Sequence, residues 1–241
     1  MRPKINKRLS LSIVLPTYNE AGNILPLIRE LTKIVNKSRI VSEILVIDDD
    51  SPDQTAKIAK NEAKINPLIR VYIRKSNHGL AVSILHGIRQ ARGKLVLVMD
   101  TDFNHAPGVI PKMIEKSAFC DLVVGSRFIK GGGMENKLRN SLSYLFNLYI
   151  RLILMSNVHD HLSGFFLMKK TKLQSFANDS IFNGFGDYFI RLIYGSQKAN
   201  YKILEVPIFY KNRVWGKSKS KFISMFIKYT KTAINLRLND A

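Results

Sequence analysis

Runs of β-branched and aliphatic residues recur along the first 126 residues, at Leu11–Leu15, Glu43–Ile47, Ile69–Ile73, Leu95–Met99 and Leu122–Gly125. Stretches with helical periodicity lie between them, over Gly22–Val35, Gln54–Ile65, Ala81–Ala91 and Pro107–Ala118. The runs are apolar at nearly every position instead of every second one. A strand of that kind is buried on both faces and needs helices above and below it. The alternation therefore predicts an α/β chain with a mostly parallel central sheet flanked by helices.

After Arg127 the rhythm changes. Gly131–Gly133 reads as a flexible loop, followed by a long amphipathic helix over Lys137–Ser156, a strand at Gly164–Met168 and a helix near Asp187–Tyr194. A strand over Ile203–Tyr210, a basic loop over Lys211–Lys221 and a helix over Phe222–Leu238 complete the pattern. With 241 residues and 46 % hydrophobic side chains, the chain suits one domain. Residues 1–126 would form its first half and 127–241 a helical extension of the same unit.

The formal net charge is +20. Such a chain seeks an anionic partner: nucleic acid, a phospholipid surface or a phosphorylated substrate. The charge is spread along the chain without a recognised nucleic-acid motif, so no nucleic acid is expected. The apolar stretch Leu142–Met155 is interrupted by Asn147 and Arg151, and no other run reaches membrane-spanning length. No apolar signal core follows the basic residues Met1–Arg8. The expectation is a cytoplasmic protein without signal peptide or transmembrane segment, peripheral at a membrane face. The single cysteine, Cys120, reads as a packing thiol and suits a reducing compartment.

Open parallel sheets bind ligands at the carboxyl ends of their strands. Three polar segments fall there: Pro16–Glu20, Asp48–Asp53 and Asp100–Asp102. Two carboxylates one residue apart, just past a buried strand, can hold a hard divalent cation through oxygen and leave positions for substrate phosphates. Asn104 and His105 follow closely and are candidates to complete that site. In a loose surface loop the same pair would be only a solvated turn or a cap. Within Asp48–Asp53, Asp53 or Ser51 suits a helix cap, and Asp48 or Asp49 would face a base or ribose. Glu20 is a nucleotide contact or simply a first-turn helix residue. Neither G-x-G-x-x-G nor G-x-x-x-x-G-K-[ST] is present, which argues against dinucleotide cofactors and P-loop hydrolysis. His159-Asp160-His161 has no third ligand nearby, so zinc is not expected.

Taken together, several ordered segments resemble glycosyltransferase family two: Val14–Glu20 (VLPTYNE), Val46–Thr55 (VIDDDSPDQT), Met99–His105 (MDTDFNH), Val124–Phe128 (VGSRF), Ser163–Phe166 (SGFF), Glu205–Ile208 (EVPI) and Arg213–Lys219 (RVWGKSK). The likeness runs from Leu11 to Leu236 and is nearest to the polyprenyl-phosphate sugar transferases, the dolichyl-phosphate mannosyltransferases among them. It implies the GT-A fold, Rossmann-like, with a C-terminal acceptor-side helical extension. It implies an inverting, metal-dependent transfer of a hexose from a nucleotide-sugar donor to a polyprenyl phosphate acceptor. Mannose from GDP-mannose comes first; UDP-glucose or a saccharide hydroxyl acceptor is the alternative, and a membrane-spanning partner protein would fit such an enzyme. By the same resemblance Pro16, Tyr18, Glu20 and Asp48 line the nucleotide, beside Asp49 and Asp100. Asp100, Asp102 and Asn104 hold Mg2+ or Mn2+, with Asp102 and Arg127 central to catalysis. Arg127, Arg139 and Ser143 meet the acceptor phosphate, and Arg213 and Lys219 close over the diphosphate. The chain departs from the family's usual residues at Asn104, often Gln, and at Gly186-Asp187, where many relatives carry Glu.

Overall fold

The computed structural model describes residues 9–211 and 222–239. All the strands expected in the first half form: β1 (Leu11–Thr17), β2 (Ser42–Asp48), β3 (Ile69–Ile73), β4 (Leu95–Val98) and β5 (Leu122–Ser126). Between them run α1 (Ala21–Lys37), α2 (Thr55–Ala63), α3 (Leu80–Gln90) and α4 (Ile110–Lys116). The second half contributes β6 (Gly133–Met134), α5 (Lys137–Leu154), β7 (Phe166–Lys169), α6 (Lys170–Leu173), α7 (Asp187–Lys198), β8 (Ile203–Pro207), β9 (Phe209–Tyr210) and α8 (Phe222–Leu238).

One seven-stranded sheet runs in the order β3-β2-β1-β4-β7-β5-β8. Every pairing in it is parallel except the two made by β7, which lies antiparallel to β4 and β5. The chain winds outward from β1 to β3 and then crosses to β4 on the other side. The crevice above β1 and β4 is therefore the switch point, where ligands enter sheets of this kind. Alternation along the strands sets the two faces. Leu11, Ile13 and Leu15 pack with Ile24, Leu27 and Leu31 of α1 and with Ile110 and Met113 of α4. Val14, Leu45 and Ile47 face Ile84, Leu85 and Ile88 of α3, in the same cluster as Phe189 and Leu192 of α7.

Two features of the second half differ from expectation. Gly131–Gly133 is tied down and not a loose loop: Gly132 N donates to Ile129 O over 2.9 Å, and Gly133 N to Ile208 O over 3.0 Å. A Cβ on Gly132 would sit 2.7 Å from the carbonyl oxygens of Ser126 and Arg127, so only glycine permits this approach. The strand expected over Ile203–Tyr210 divides at Ile208, whose N–H bonds to Ser126 O, and its last residues form β9 against β6. Pro207, with no N–H of its own, ends the longer ladder.

A third cluster joins α5, α7 and α8 through Phe146, Ile150, Ile190, Tyr194, Tyr229 and Ala233. The opposite side of α5 carries an exposed stripe, Leu138, Leu142, Leu145, Tyr149 and Leu152, at alternating four- and three-residue spacing. Exposed Phe226, Ile227, Ile234 and Leu238 of α8 continue it, and the Phe226 ring lies 4.8 Å from that of Phe146.

The expected cap at Asp53 is double. Its Oδ2 accepts Ala21 N at the start of α1 over 2.9 Å, and its Oδ1 accepts Thr55 N and Oγ1 at the start of α2 over 3.1 and 2.5 Å. Each helix start otherwise leaves a donor unsatisfied. Asp53→Ala removes both partners and is expected to cost about 2 kcal/mol, read as a lower urea midpoint at unchanged slope.

Candidate active site

The segment after β4 folds into a tight loop at the switch point. Asp102 is buried; its Oδ1 accepts Asn104 N over 3.1 Å and its Oδ2 accepts Asn104 Nδ2 over 2.8 Å. Phe103 adopts φ +61°, a conformation that costs a non-glycine residue free energy and must be held by its surroundings. The Asp100 side chain is 44 % exposed and opens to the crevice. Asn104 Oδ1 is buried and has no hydrogen-bond partner. An orphaned carbonyl oxygen beside two carboxylates is the donor set of a hard cation, so these residues fit Mg2+ or Mn2+. His105 does not complete that set. Its Nδ1 accepts Asp100 N over 2.8 Å, and its Nε2 lies 2.9 Å from Ser163 O and 2.7 Å from Tyr210 Oη. Both nitrogens are occupied inside the protein, so the imidazole supports the loop and cannot ligate.

On the donor side, Pro16 lies within β1 opposite Ile47, and Tyr18 stands exposed at the rim. Glu20 Oε2 accepts Asn23 Nδ2 over 2.8 Å in the first turn of α1. Asp48 and Asp49 have other employment than facing a base or ribose. Asp48 is fully buried and accepts Thr17 Oγ1 at 2.9 Å, Ser51 N at 2.9 Å and Ser51 Oγ at 2.7 Å. Asp49 accepts Gly79 N at 2.7 Å, Ser83 Oγ at 2.6 Å and Arg74 Nη1 at 2.8 Å. These buried carboxylates, each accepting three bonds, tie together the loops after β1, β2 and β3. Their shared acidity gave no sequence signal separating them from Asp100.

Arg127, expected at the acceptor phosphate, is buried and already paired. Its Nε and Nη2 donate to Asp160 Oδ2 and Oδ1 over 2.7 and 2.8 Å, and its backbone N–H adds a bond of 3.0 Å to Oδ2. Burial alone would lower the Arg127 pKa, but the Asp160 carboxylate outweighs it and holds the guanidinium above its ordinary value. Burial likewise pushes Asp160 upward, and Arg127 reverses that to leave it below the usual carboxylate range. The guanidinium lies against the rings of Phe128 and Tyr210, each 4.9 Å from Cζ. Burial raises the Tyr210 hydroxyl well above its ordinary pKa, so it stays a donor. Arg139 and Ser143 stand one turn apart near the start of α5, where the Phe128 ring meets Tyr144 at 5.7 Å. Arg213 and Lys219 lie outside the described residues.

Asp160, Tyr210 and Asp187 were not among the residues expected in the site. The one sequence hint was an isolated acid between two imidazoles in an otherwise apolar stretch, Val158–Leu162. Asp187 is fully buried; Arg191 bonds to it, and Lys228 Nζ lies 3.8 Å away. Of the two flanking imidazoles, His159 Nδ1 bonds to Glu205 over 2.7 Å, while His161 is buried with neither nitrogen partnered. Among the described residues no group of three His, Cys, Asp or Glu could hold a metal.

Burial pushes the His161 pKa down from 6.5 to about 4. The unfolded chain thus takes up this proton at higher pH than the folded one. Its effect is absent above the unfolded value and grows as destabilisation while pH falls from about 6.5 to about 4, reaching about 3 kcal/mol. His161→Leu is expected to flatten that limb of the stability–pH curve, measured by urea titration at pH 4.5, 5.5 and 7. An unchanged slope would remove the assignment.

A profile of the family described as Glycosyl transferase family 2 matches residues 12–176. The dolichol-phosphate mannosyltransferase of Pyrococcus furiosus is 33 % identical over 224 residues, covering 90 % of this chain but only 61 % of that protein. The undecaprenyl-phosphate mannosyltransferase of Micrococcus luteus is 33 % identical over 212 residues, covering 86 % of this chain and 85 % of its own length. In structure, the chain is similar to glucosyl-3-phosphoglycerate synthase from Mycobacterium tuberculosis, solved with Mn2+, UDP and glucosyl-3-phosphoglycerate. The TM-score is 0.72 at 18 % identity, over 95 % of this chain and 80 % of that one. That likeness speaks for the fold. With the family match, the mostly parallel sheet and the crevice above β1 and β4, it follows that this chain belongs to glycosyltransferase family 2 and is a glycosyltransferase of the GT-A fold.

Proposed function

We propose that the chain transfers a hexose from a nucleotide-sugar to a polyprenyl phosphate, with inversion at the anomeric carbon, at the cytoplasmic face of an anionic membrane. Mannose from GDP-mannose is the first donor to test, and Mg2+ or Mn2+ is the cofactor. The observation that carries the acceptor class is the state of the buried carboxylates in the second half of the chain. Asp160 is held by Arg127, and Asp187 by Arg191 with Lys228 nearby. Both carboxylates are engaged in ion pairs inside the fold, where a sugar hydroxyl acceptor would call for a base. A phosphate monoester, with a second pKa of about 6, needs no such base because it arrives largely ionised. The names of the two mannosyltransferase relatives, with dolichol phosphate and undecaprenyl phosphate as acceptors, support the same reading.

In this reading Asp100, Asp102 and Asn104 hold the cation, which when bound offsets the charge gathering on the leaving diphosphate. Tyr18 and Glu20 line the nucleotide, Pro16 stiffens the strand end beneath it, and Asp48 and Asp49 shape the wall. Arg139 and Ser143 meet the acceptor phosphate. Arg127, neutralised by Asp160, orients that side of the crevice. Arg213 and Lys219 close over the diphosphate.

The exposed stripe of α5 and α8 supports the membrane reading. Leu138, Leu145, Leu152, Ile227 and Leu238 are 72, 59, 71, 61 and 67 % exposed, and Lys137, Arg139, Lys231 and Arg237 lie on the same two helices. Apolar residues with flanking cations suit a helix pair resting in the headgroup layer of anionic lipid. Among the described residues no helix is long and apolar enough to cross a membrane.

The test is a donor panel of GDP-mannose and UDP-glucose, with Mn2+ or Mg2+ and a polyprenyl phosphate in micelles, read as sugar-lipid by mass spectrometry. Product from GDP-mannose is expected, and Asp102→Ala should lower it more than about 100-fold while the protein stays folded at the assay temperature. No sugar-lipid from either donor would remove the acceptor assignment; retained activity in Asp102→Ala would remove the metal assignment. For the membrane face, the protein should sediment with vesicles containing phosphatidylglycerol. The Leu145→Glu/Leu152→Glu variant should lose that binding, and equal sedimentation of both proteins would sink the idea.

A further inference from the structure

An unbroken chain of buried contacts joins the carboxylate loop after β4 to the Arg127–Asp160 pair. Asp100 N donates to His105 Nδ1 over 2.8 Å, which assigns the ring hydrogen to Nε2. That Nε2–H lies 2.7 Å from Tyr210 Oη and 2.9 Å from Ser163 O, and Tyr210 Oη itself donates to Ser163 O over 2.9 Å. The imidazole is fully buried and stacked on Phe165, with centroids 4.7 Å apart and planes at 10°. The Tyr210 ring then lies under the Arg127 guanidinium. Tyr210 is 105 residues from His105 and directly precedes the basic segment that carries Arg213.

We propose that His105 is a positioning residue for the cation carboxylates, clamping the Asp100–His105 loop through the Asp100 amide, and that Tyr210 braces it from the acceptor side. The inference rests on the cation reading of Asp100, Asp102 and Asn104. The loop needs such a clamp. Phe103 sits in the left-handed region, and the residues on either side of it supply the cation's oxygens. The Asp100 amide bond anchors the loop at its first residue, as the two Asn104 bonds anchor Asp102. Groups that orient ligands from behind typically change metal affinity about 10- to 100-fold when removed. The Tyr210 hydroxyl meets the imidazole directly, so removing it tests the brace on His105.

Two substitutions separate positioning from mere packing. His105→Asn puts an amide oxygen where Nδ1 stands and keeps an acceptor for the Asp100 amide. His105→Gln reaches the place of Nε2, keeps the donor to Ser163 and Tyr210, and leaves the Asp100 amide unpartnered. Both vacate the stack on Phe165, so both should melt lower than wild type by similar amounts. Mn2+ alone is titrated into each protein and the free ion followed by electron paramagnetic resonance, without donor or acceptor. His105→Gln is expected to weaken Mn2+ binding about 10-fold, His105→Asn to stay within about 3-fold of wild type, and Tyr210→Phe to weaken it about 3-fold. Wild-type Mn2+ affinity in His105→Gln, with Asp102→Ala losing binding, would overturn this inference and leave the cation reading standing. Equal losses in His105→Asn and His105→Gln, tracking their melting temperatures, would reduce His105 to packing and also overturn it. Absence of Mn2+ binding in the wild type would overturn both.

Discussion

Arg127 and Asp160 meet almost wholly buried, and much of the second half is arranged around them. Removing either charge from water is costly, and only the bidentate geometry with an added backbone bond offsets it. The pair joins the end of β5 to the segment that leads into β7. Asp160 also accepts Leu162 N over 3.1 Å, which fixes the turn before Ser163. From Ser163 the chain can enter the sheet only at its carboxyl edge, so β7 runs antiparallel between β4 and β5. Burying that strand on both faces places Phe166, Leu167 and Met168 at zero exposure. The same turn presents Ser163 O to His105 and Tyr210.

Acidic residues divide by employment along the crevice. Asp48, Asp49 and Asp53 spend their lone pairs on hydroxyls, amides and Arg74, and so build the rim. Asp100 remains partly open, and Asp102 lies beside an amide oxygen with no partner. A buried polar atom left unsatisfied is unfavourable in a folded protein unless something else binds it. That contrast, and not acidity itself, makes the segment after β4 the one that fits a cation. Cations divide in the same way: Arg74, Arg127 and Arg191 are committed to carboxylates within the fold. These pairs leave the net charge of +20 unchanged, since each removes one charge of either sign.

The amino-acid sequence determined the strands and helices of the first half, because each is written in local periodicity that burial enforces. It also determined the position of Asp100 and Asp102 at a strand end, the cap at Asp53, and the ordered motifs by which the family is recognised. Tertiary structure alone decided which polar side chains pair with one another. Asp48 with Thr17, Asp49 with Arg74, Arg127 with Asp160 and His105 with Tyr210 are partners 25 to 105 residues apart. The place of β7 between β4 and β5, and the pinning of Gly132 under Arg127 O, belong to the same class. Periodicity reports which face of an element is buried. It carries no information on which distant group will satisfy a buried charge.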